Sequence, residues 1–477
     1  MQSYRNNCQY QYGNRKVKGL LFLITCFTGF WIWSCSPKTP QVSLPVDSLQ
    51  NFSRSGIDSM TSDWWTSFND PQLNTIIDSA LQNNFNLVSA WYQLKAAEAV
   101  LDRESSFLLP DLEAAISSAF NRPQPDFVGG ENIQLGLRAR YEVDLWGRIR
   151  AQIKAEEFRK EATFADYKAA AISLSAEITR TWYQLIAARN QLELIQKQVQ
   201  TNENIVKLIK ARFGGGQTRG VDILRQMQLL ESTREQLIMA ETTVEMLEHQ
   251  LAVLLGSQPQ IELDYSADTL PVLPPLPEAG IPVELVERRP DVQSAYKNLL
   301  AADRDFAAAI SNRYPRLSFS TSLQIRSNTA DALFQDWAYS LGGNLMAPLF
   351  YGGRLKAEME RTEAVKNQWR YQYGQSVLIA FQEVENALIQ EQQQQRRIET
   401  IRTQLDLVRR TNRQLRIEYL NGMSGYLDVL VALDQEQQLR RDLITARLEL
   451  IEFRIALYRA LAGGFETPRE IENENDS

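Results

Sequence analysis

The feature that most constrains this chain is a duplication. Residues 212–256, shifted by 206 positions, fall on 418–462 without a gap. Phe213 falls on Tyr419, Gly216 on Gly422, Thr218 on Ser424, Asp222 on Asp428, Leu237 on Leu443 and Leu251 on Leu457. Upstream, Pro110-Asp-Leu112 answers to Pro315-Arg-Leu317, Ala90-Trp91 to Ala295-Tyr296 and Gly147-Arg148 to Gly353-Arg354. A shift that holds at 205 or 206 from Ala90 to Gly256 means that the repeated unit is one continuous structure.

The chain has 477 residues, 44% of them apolar, enough for one large core or two ordinary domains. The duplication favours one pseudo-symmetric body. The formal charge is −7 and no Lys/Arg run stands out after the N-terminal segment, so the sequence has no footprint for nucleic acid. A single histidine, His249, leaves little for histidine metal sites or Ser/His pairs. There is no nucleophile elbow, phosphate loop or metal-spaced cluster, and the carboxylates fall on heptad flanks and strand faces. The expectation is a protein that is not an enzyme, with no catalytic residues, metal or cofactor. The three cysteines, Cys8, Cys26 and Cys35, all precede residue 36, so no disulfide framework is available downstream.

Those first residues divide differently from the rest. Arg5, Arg15, Lys16 and Lys18 make a basic segment, Leu20 to Trp33 is an apolar run of 14 residues, and Ser34-Cys35-Ser36-Pro37 follows. A helix needs about 20 apolar residues to cross a bilayer, so this run is short for a permanent span. The layout is that of an export signal. Ile32-Trp-Ser-Cys35 resembles the end of a bacterial lipoprotein signal, in which the cysteine takes a covalent lipid and becomes the first mature residue. Cys35 is therefore the expected lipidation site; an uncleaved anchor, or cleavage elsewhere without lipid, is the alternative.

The ordered part opens at Asp63-Trp-Trp-Thr-Ser-Phe68, and the spacing predicts helices over 71–83 and 86–107. The period then changes. Ile133, Leu135, Leu137, Ala139, Tyr141, Val143 and Leu145 alternate with Gln134, Gly136, Arg138, Arg140, Glu142 and Asp144, the pattern of a strand with one apolar and one polar face. Leu317, Phe319, Leu323 and Ile325, then Trp337, Tyr339, Leu341 and Leu345, repeat it in the second half. After Gly147 the period is helical again. Leu174, Ile178, Thr181, Leu185, Ala188, Leu192, Ile195, Val199, Asn202, Val206 and Ile209 alternate spacings of four and three, a heptad seam. At 1.5 Å per residue this helix reaches on the order of 90–100 Å. Gly214-Gly-Gly216 and Asn421-Gly422 supply tight reversals; Thr218 and Ser424 are the expected N-caps of the returning helices.

The resulting division is a signal peptide at 1–34 and a lipidated tether at 35–62. A first repeat at 63–256 holds a β-hairpin at 111–145 and a coiled-coil hairpin at 148–256. After a linker at 257–280, a second repeat at 281–463 holds the corresponding hairpins at 316–349 and 354–463. A disordered acidic tail at 464–477 closes the chain. Strands of about ten residues with one apolar face fit a transmembrane barrel; an ordinary half-buried soluble sheet is the other reading. Four strands cannot close a barrel, and open edges cannot face lipid. The chain must then oligomerise: two copies give eight strands with a filled interior, three give twelve and room for a channel. Arg138, Arg140, Glu142 and Asp144 would line water.

From Cys35 to about Phe465 the chain resembles the TolC-like outer-membrane efflux proteins, in their lipoprotein (NodT-type) branch that serves RND-type pumps. The resemblance is carried by Asp63-Trp-Trp65, Tyr141-Glu-Val-Asp-Leu-Trp-Gly-Arg148, Glu287-Arg-Arg-Pro-Asp291, Tyr314-Pro-Arg-Leu317 and Pro348-Leu-Phe-Tyr-Gly-Gly-Arg354. Tyr419-Leu-Asn-Gly422, Tyr426-Leu-Asp-Val429 and Tyr458-Arg-Ala-Leu-Ala-Gly-Gly464 complete it. Each is weak alone, and all of them in order are specific.

The resemblance implies a mainly α fold with a transmembrane β-barrel. Three chains would give a homotrimeric twelve-stranded outer-membrane barrel, four strands per chain, continued by a long periplasmic α-helical barrel. It implies a passive exit duct for drugs or other solutes, seated in outer-membrane lipid and docked to a periplasmic adaptor and an inner-membrane pump. It also places a closing leucine ring at Leu427. Related lipoprotein channels put an aspartate one turn further in, where this chain has Val431, so the expected aperture is apolar; ordinary coiled-coil packing is the alternative for both residues. Arg212, Gly216, Thr218, Tyr419, Gly422 and Ser424 are the expected adaptor contacts, against a reading in which the glycines serve only the turns. A membrane-tethered structural coiled coil is the rival function; it explains the heptads but not the paired alternating hairpins.

Overall fold

The computed structural model describes residues 51–56, 61–119, 132–260, 269–279, 282–327, 334 and 337–476, all within one compact unit. After a 3-10 turn at Trp64–Phe68 come α1 (Pro71–Asn83), α2 (Phe85–Ser106), β1 (Asp111–Ala119), β2 (Asn132–Val143), α3 (Arg148–Gly214) and α4 (Gly220–Leu254). The second half repeats the order with α5 (Pro282–Arg288), α6 (Pro290–Ser311), β3 (Arg316–Ser327), β4 (Trp337–Met346), α7 (Arg354–Leu420) and α8 (Tyr426–Leu461), before α9 (Pro468–Asp476). The long helices α3 and α7 each run 67 residues, about 100 Å at 1.5 Å per residue.

The four strands form one antiparallel meander in the order β1-β2-β3-β4. Leu137 stands opposite Leu323, and Leu323 opposite Tyr339, so one face is apolar across the sheet. The other face carries Arg138 opposite Ser322 and Ser322 opposite Ser340. The apolar face is not covered by the chain: Leu112 is 73% exposed, Ile116 77% and Leu341 70%. Leaving each such side chain in water forfeits about 1.5–3 kcal/mol. A soluble sheet does not accept that loss repeatedly on one face, so the expectation of a membrane-facing sheet is met.

The core sits midway along the long helices. Trp64, Trp65 and Phe68 are buried against Tyr183, Tyr458 and Phe465, with Trp65 edge-on to Phe465 at 4.9 Å and Trp64 5.6 Å from Tyr458. The Asp70 carboxylate takes the N–H groups of Gln72 and Leu73 with Pro71 at the first helical position, and its other oxygen accepts from Trp182 Nε1 at 2.8 Å. Asn84 caps α2 and donates to Leu254 O at 2.9 Å. Gly256 closes that joint at φ 73°, where a Cβ would lie 2.5 Å from Asn83 O.

Polar clamps tie the second half together and to the linker beside this core. Arg289, in the Glu287–Asp291 motif, is 6% exposed and bonds Asp291 at 2.7 Å, Glu383 at 2.8 Å and Ala460 O at 3.2 Å. Arg454 and Glu391 form an ion pair at 2.6 Å with both side chains 2% exposed. Arg454 also donates to Pro274 O at 2.8 Å and Pro275 O at 3.0 Å, which pins the proline-rich linker.

Two expectations need correction. The tail at 464–477 is not disordered throughout. Phe465 and Thr467 are buried, Thr467 Oγ1 bonds Tyr167 Oη at 2.7 Å, and α9 follows with Glu470 accepting the Thr467 N–H and pairing with Lys168 at 3.1 Å. The reason is local: Thr467-Pro-Arg-Glu470 is a helix start behind an apolar anchor. The described end of the 35–62 tether is also held in place. Phe52 stacks on Phe381 at 5.1 Å, Ser53 N–H reaches Glu385 Oε1 at 2.7 Å and Gly56 N–H reaches Pro277 O at 2.9 Å. Cys35 and the 1–34 segment lie outside the described residues.

Candidate functional site

Two places along each half carry the chemistry: the joint between sheet and helices, and the far tip of the helical hairpins. At the joint, Trp146 stacks on Tyr314 with ring centroids 5.0 Å apart, donates from Nε1 to Pro315 O at 2.8 Å, and accepts from Ser311 Oγ at 3.1 Å. The Tyr141–Arg148 and Tyr314–Leu317 motifs therefore meet and turn the chain from strand to helix, with Gly147 at φ 72° starting α3. Asp144 corrects an expectation. It does not line the polar face; its carboxylate accepts from Ile149 N at 3.1 Å and Arg150 N at 3.0 Å. The strand ends at Val143, so the alternating pattern runs on for two residues that serve the new helix end, where a negative charge is favoured. Glu142 is held by Arg148 at 2.9 Å. Arg138 and Arg140 remain on the open polar face with Ser318, Ser320, Ser322 and Ser340.

At the tip, both turns place one glycine in the left-handed region, Gly216 at φ 70° and Gly422 at φ 73°, and a Cβ added at either would meet nothing within 4 Å. The turn, rather than space, requires them. The helix caps fall one residue later than expected, at Arg219 and Gly425. Thr218 does not cap; its hydroxyl and the Arg219 backbone N–H both donate to Asp222, at 3.2 and 3.3 Å, so the carboxylate inside the helix reaches back instead. Ser424 donates to Leu415 O at 3.4 Å. Asp222 is buried and paired with Arg219 at 3.2 Å. Burial alone would raise its pKa; the Arg219 and Thr218 hydrogen bonds outweigh that and hold it below the usual carboxylate value.

The two hairpins are tied together here. Tyr426 Oη bonds Gln226 Oε1, Tyr419 Oη bonds Thr218 Oγ1 at 3.3 Å, and the Arg212 guanidinium lies 5.1 Å from the Tyr419 ring. Tyr426, Val429 and Ile209 form the small apolar cluster beneath. Burial pushes the Tyr426 phenol above its ordinary pKa, so it stays a donor throughout the physiological range. Three of the six expected contact residues, Arg212, Thr218 and Tyr419, thus bridge hairpins, while Gly216 and Gly422 lie exposed. Sequence reasoning misses Gln226, although it continues the seam of α4 four residues before Leu230. Leu427 is 42% exposed and Val431 49% exposed; they lie one turn apart on the flank of α8 away from buried Tyr426 and Val429. They are not part of the packing within this chain. Further along, Asn202, Thr233 and Gln437 form a buried polar layer between the hairpins, with Asn202 Nδ2 2.9 Å from Thr233 Oγ1. Among the described residues no three His, Cys, Asp or Glu side chains come together as a metal site, and no helix is long and apolar enough to cross a membrane.

Comparison with known proteins follows the same division. The profile of the outer membrane efflux protein family matches residues 76–257 and again 281–463, one match per repeat. The pyoverdine export outer membrane protein OpmQ of Pseudomonas aeruginosa is 27% identical over 419 residues, covering 85% of this chain and 88% of OpmQ. The cation efflux system protein CusC of Escherichia coli is 25% identical over 451 residues, covering 91% of this chain and 96% of CusC. Among solved structures, the outer-membrane channel OprN superposes with a TM-score of 0.82 at 27% identity, over 90% of this chain and 98% of OprN.

Proposed function

This chain belongs to the outer membrane efflux protein family, and from that premise we propose how it conducts: as one third of a homotrimeric duct. It is an outer-membrane efflux channel that extends into the periplasm. The observation that carries the trimer is the sheet, whose apolar face is open and whose outer strands β1 and β4 each keep an unpaired edge among the described residues. Three copies give twelve strands, which close the edges and leave a lumen. A structural coiled coil has no use for such a sheet.

The polar faces line the lumen and the long helices continue its wall into the periplasm. An adaptor grips the tips and an inner-membrane pump supplies the energy, so the duct binds and passes solute with no catalysis or cofactor of its own. Cys35 adds a covalent lipid anchor, which intact-mass measurement of the mature protein reads directly; an unmodified N-terminal peptide would overturn it. Purified protein is expected to run as heat-modifiable trimers and to conduct in planar bilayers; single chains without conductance would overturn the duct.

The exposed flank of α8 supports Leu427 and Val431 as the apolar aperture at the periplasmic end. Leu427→Ser with Val431→Ser is expected to raise single-channel conductance severalfold, while Val221→Ser, at the position equivalent to Leu427 in the first repeat, leaves it unchanged. Equal conductance in all three would place the aperture elsewhere. For the adaptor, Gly216 and Gly422 are the exposed residues of the expected set and Ser424 lies half-buried beside them; cross-linking from cysteine at Ser424 to a co-expressed adaptor tests the contact, and capture of nothing argues that the turns serve only the fold.

A further inference from the structure

The polar face of the sheet holds a cavity of about 270 Å³ lined by Arg138, Arg140, Ser318, Ser320, Ser322 and Ser340, with Gln324 and Asn344 at its ends and no carboxylate in its wall. The contrast with the arginines just below is informative. Arg148 is paired with Glu142 at 2.9 Å and Arg150 with Asp144 at 3.1 Å. Arg138 and Arg140 make no ion pair and no side-chain hydrogen bond among the described residues. That is so although Glu113 and Asp111 are their direct cross-strand partners on β1. Both guanidinium groups instead border a floor of hydroxyls on β3 and β4. The floor hydroxyls bond one another, with Ser322 Oγ and Ser340 Oγ 2.8 Å apart.

We propose that this face is an anion-binding cradle in the lumen, in which Arg138 and Arg140 grip phosphate, sulfate or carboxylate groups of departing solutes over a serine floor. Alternate residues of one strand stand about 6.6–6.8 Å apart, so both forks reach one multivalent anion. A guanidinium presents paired donors that match carboxylate and phosphate oxygens, and the hydroxyls donate to the oxygens that remain. The inference rests on the duct reading above, which puts three cradles around one lumen. There they raise the local concentration of anionic cargo and hold it loosely enough to leave.

The test is block of ionic current by inorganic pyrophosphate, using the full-length Leu427→Ser/Val431→Ser protein in planar bilayers so that the aperture does not dominate. Pyrophosphate is expected to block at low salt, chloride at equal ionic strength is not, and the block fades as salt rises. Arg138→Gln/Arg140→Gln is expected to raise the half-blocking concentration about tenfold or more, while Arg138→Lys/Arg140→Lys, which keeps the charge and loses the fork, lies between. The lysine variant also shows that the barrel tolerates change at these positions. Equal block of the parent and the glutamine variant overturns the cradle alone. Protein that inserts as trimers yet passes no current overturns the duct reading and the cradle with it.

Discussion

The two halves of this chain share a backbone plan and differ in what fills it. Positions 185 and 391 are 206 residues apart and equivalent in the repeat. Leu185 is fully buried in the aromatic-rich core, whereas Glu391 is 1% exposed and bonded to Arg454. The tips diverge in the same way. Asp222 is buried in ion pairs, and its equivalent Asp428 is exposed. The difference teaches that heptad spacing fixes the path of the helices, while the chemistry inside each position was free to part. Both halves contribute to the aromatic-rich core, and the second adds buried charged pairs that hold the linker and a helix end.

The largest test of this contrast is at the paired positions. Glu391→Ala leaves Arg454 charged, buried and unpaired, a loss of about 3–5 kcal/mol. Burial disfavours the Arg454 charge, but with Glu391 present the carboxylate outweighs it and holds the guanidinium above its ordinary pKa. Without Glu391, Arg454 still stays charged, because a guanidinium does not deprotonate in proteins, so no protonation change relieves the loss. Leu185→Ala should cost about 2–5 kcal/mol through a cavity instead. Glu391→Leu with Arg454→Leu, which replaces the buried ion pair by apolar side chains as at Leu185, should recover much of the loss in thermal unfolding followed by circular dichroism. If Glu391→Ala melts with the parent, the clamp is not holding the linker.

The tips give a smaller effect. Asp222→Asn should loosen the first turn by about 1–3 kcal/mol, and Asp428→Asn should stay within about 0.5 kcal/mol. Hydrogen exchange at the tips distinguishes them; equal protection in both variants would erase the asymmetry. Acid sharpens the same contrast. Because the folded pKa of Asp222 lies below its unfolded value of about 3.9, its contribution is complete above that value and is lost as pH falls through the folded pKa. Exchange at pH 3, corrected for intrinsic rates, should therefore open the first tip more than the second.

The smallest effect is one the halves share. Gly216→Ala and Gly422→Ala should each cost about 1 kcal/mol from the left-handed backbone, with no clash to add. A much larger loss at one of them, read by the same exchange, would mean that a neighbour fills the space beside that turn.

Much of this was legible beforehand because it is periodic. The alternation from Ile133 to Val143 appears as β2 with the predicted faces, and Ile178, Leu185, Asn202 and Ile209 are buried along the predicted seam. What misled was sequence that continued a pattern past its element, as at Asp144, or that looked like composition alone, as in the tail behind Phe465. Gln226 and Glu391 stood on extensions of their seams, but a polar residue there does not announce its partner. Tyr426 lies 200 residues from Gln226, and Arg454 63 from Glu391.

The sequence by itself determined the duplication, the period of each segment and so the face each element presents, because side-chain direction follows from local backbone geometry. Only the tertiary structure decided which buried polar groups meet, that Arg212, Thr218 and Tyr419 bridge two hairpins, and that Arg138 and Arg140 are left unpaired beside carboxylates in register with them. Those outcomes depend on distances between segments far apart in the chain, which packing sets and no local pattern encodes.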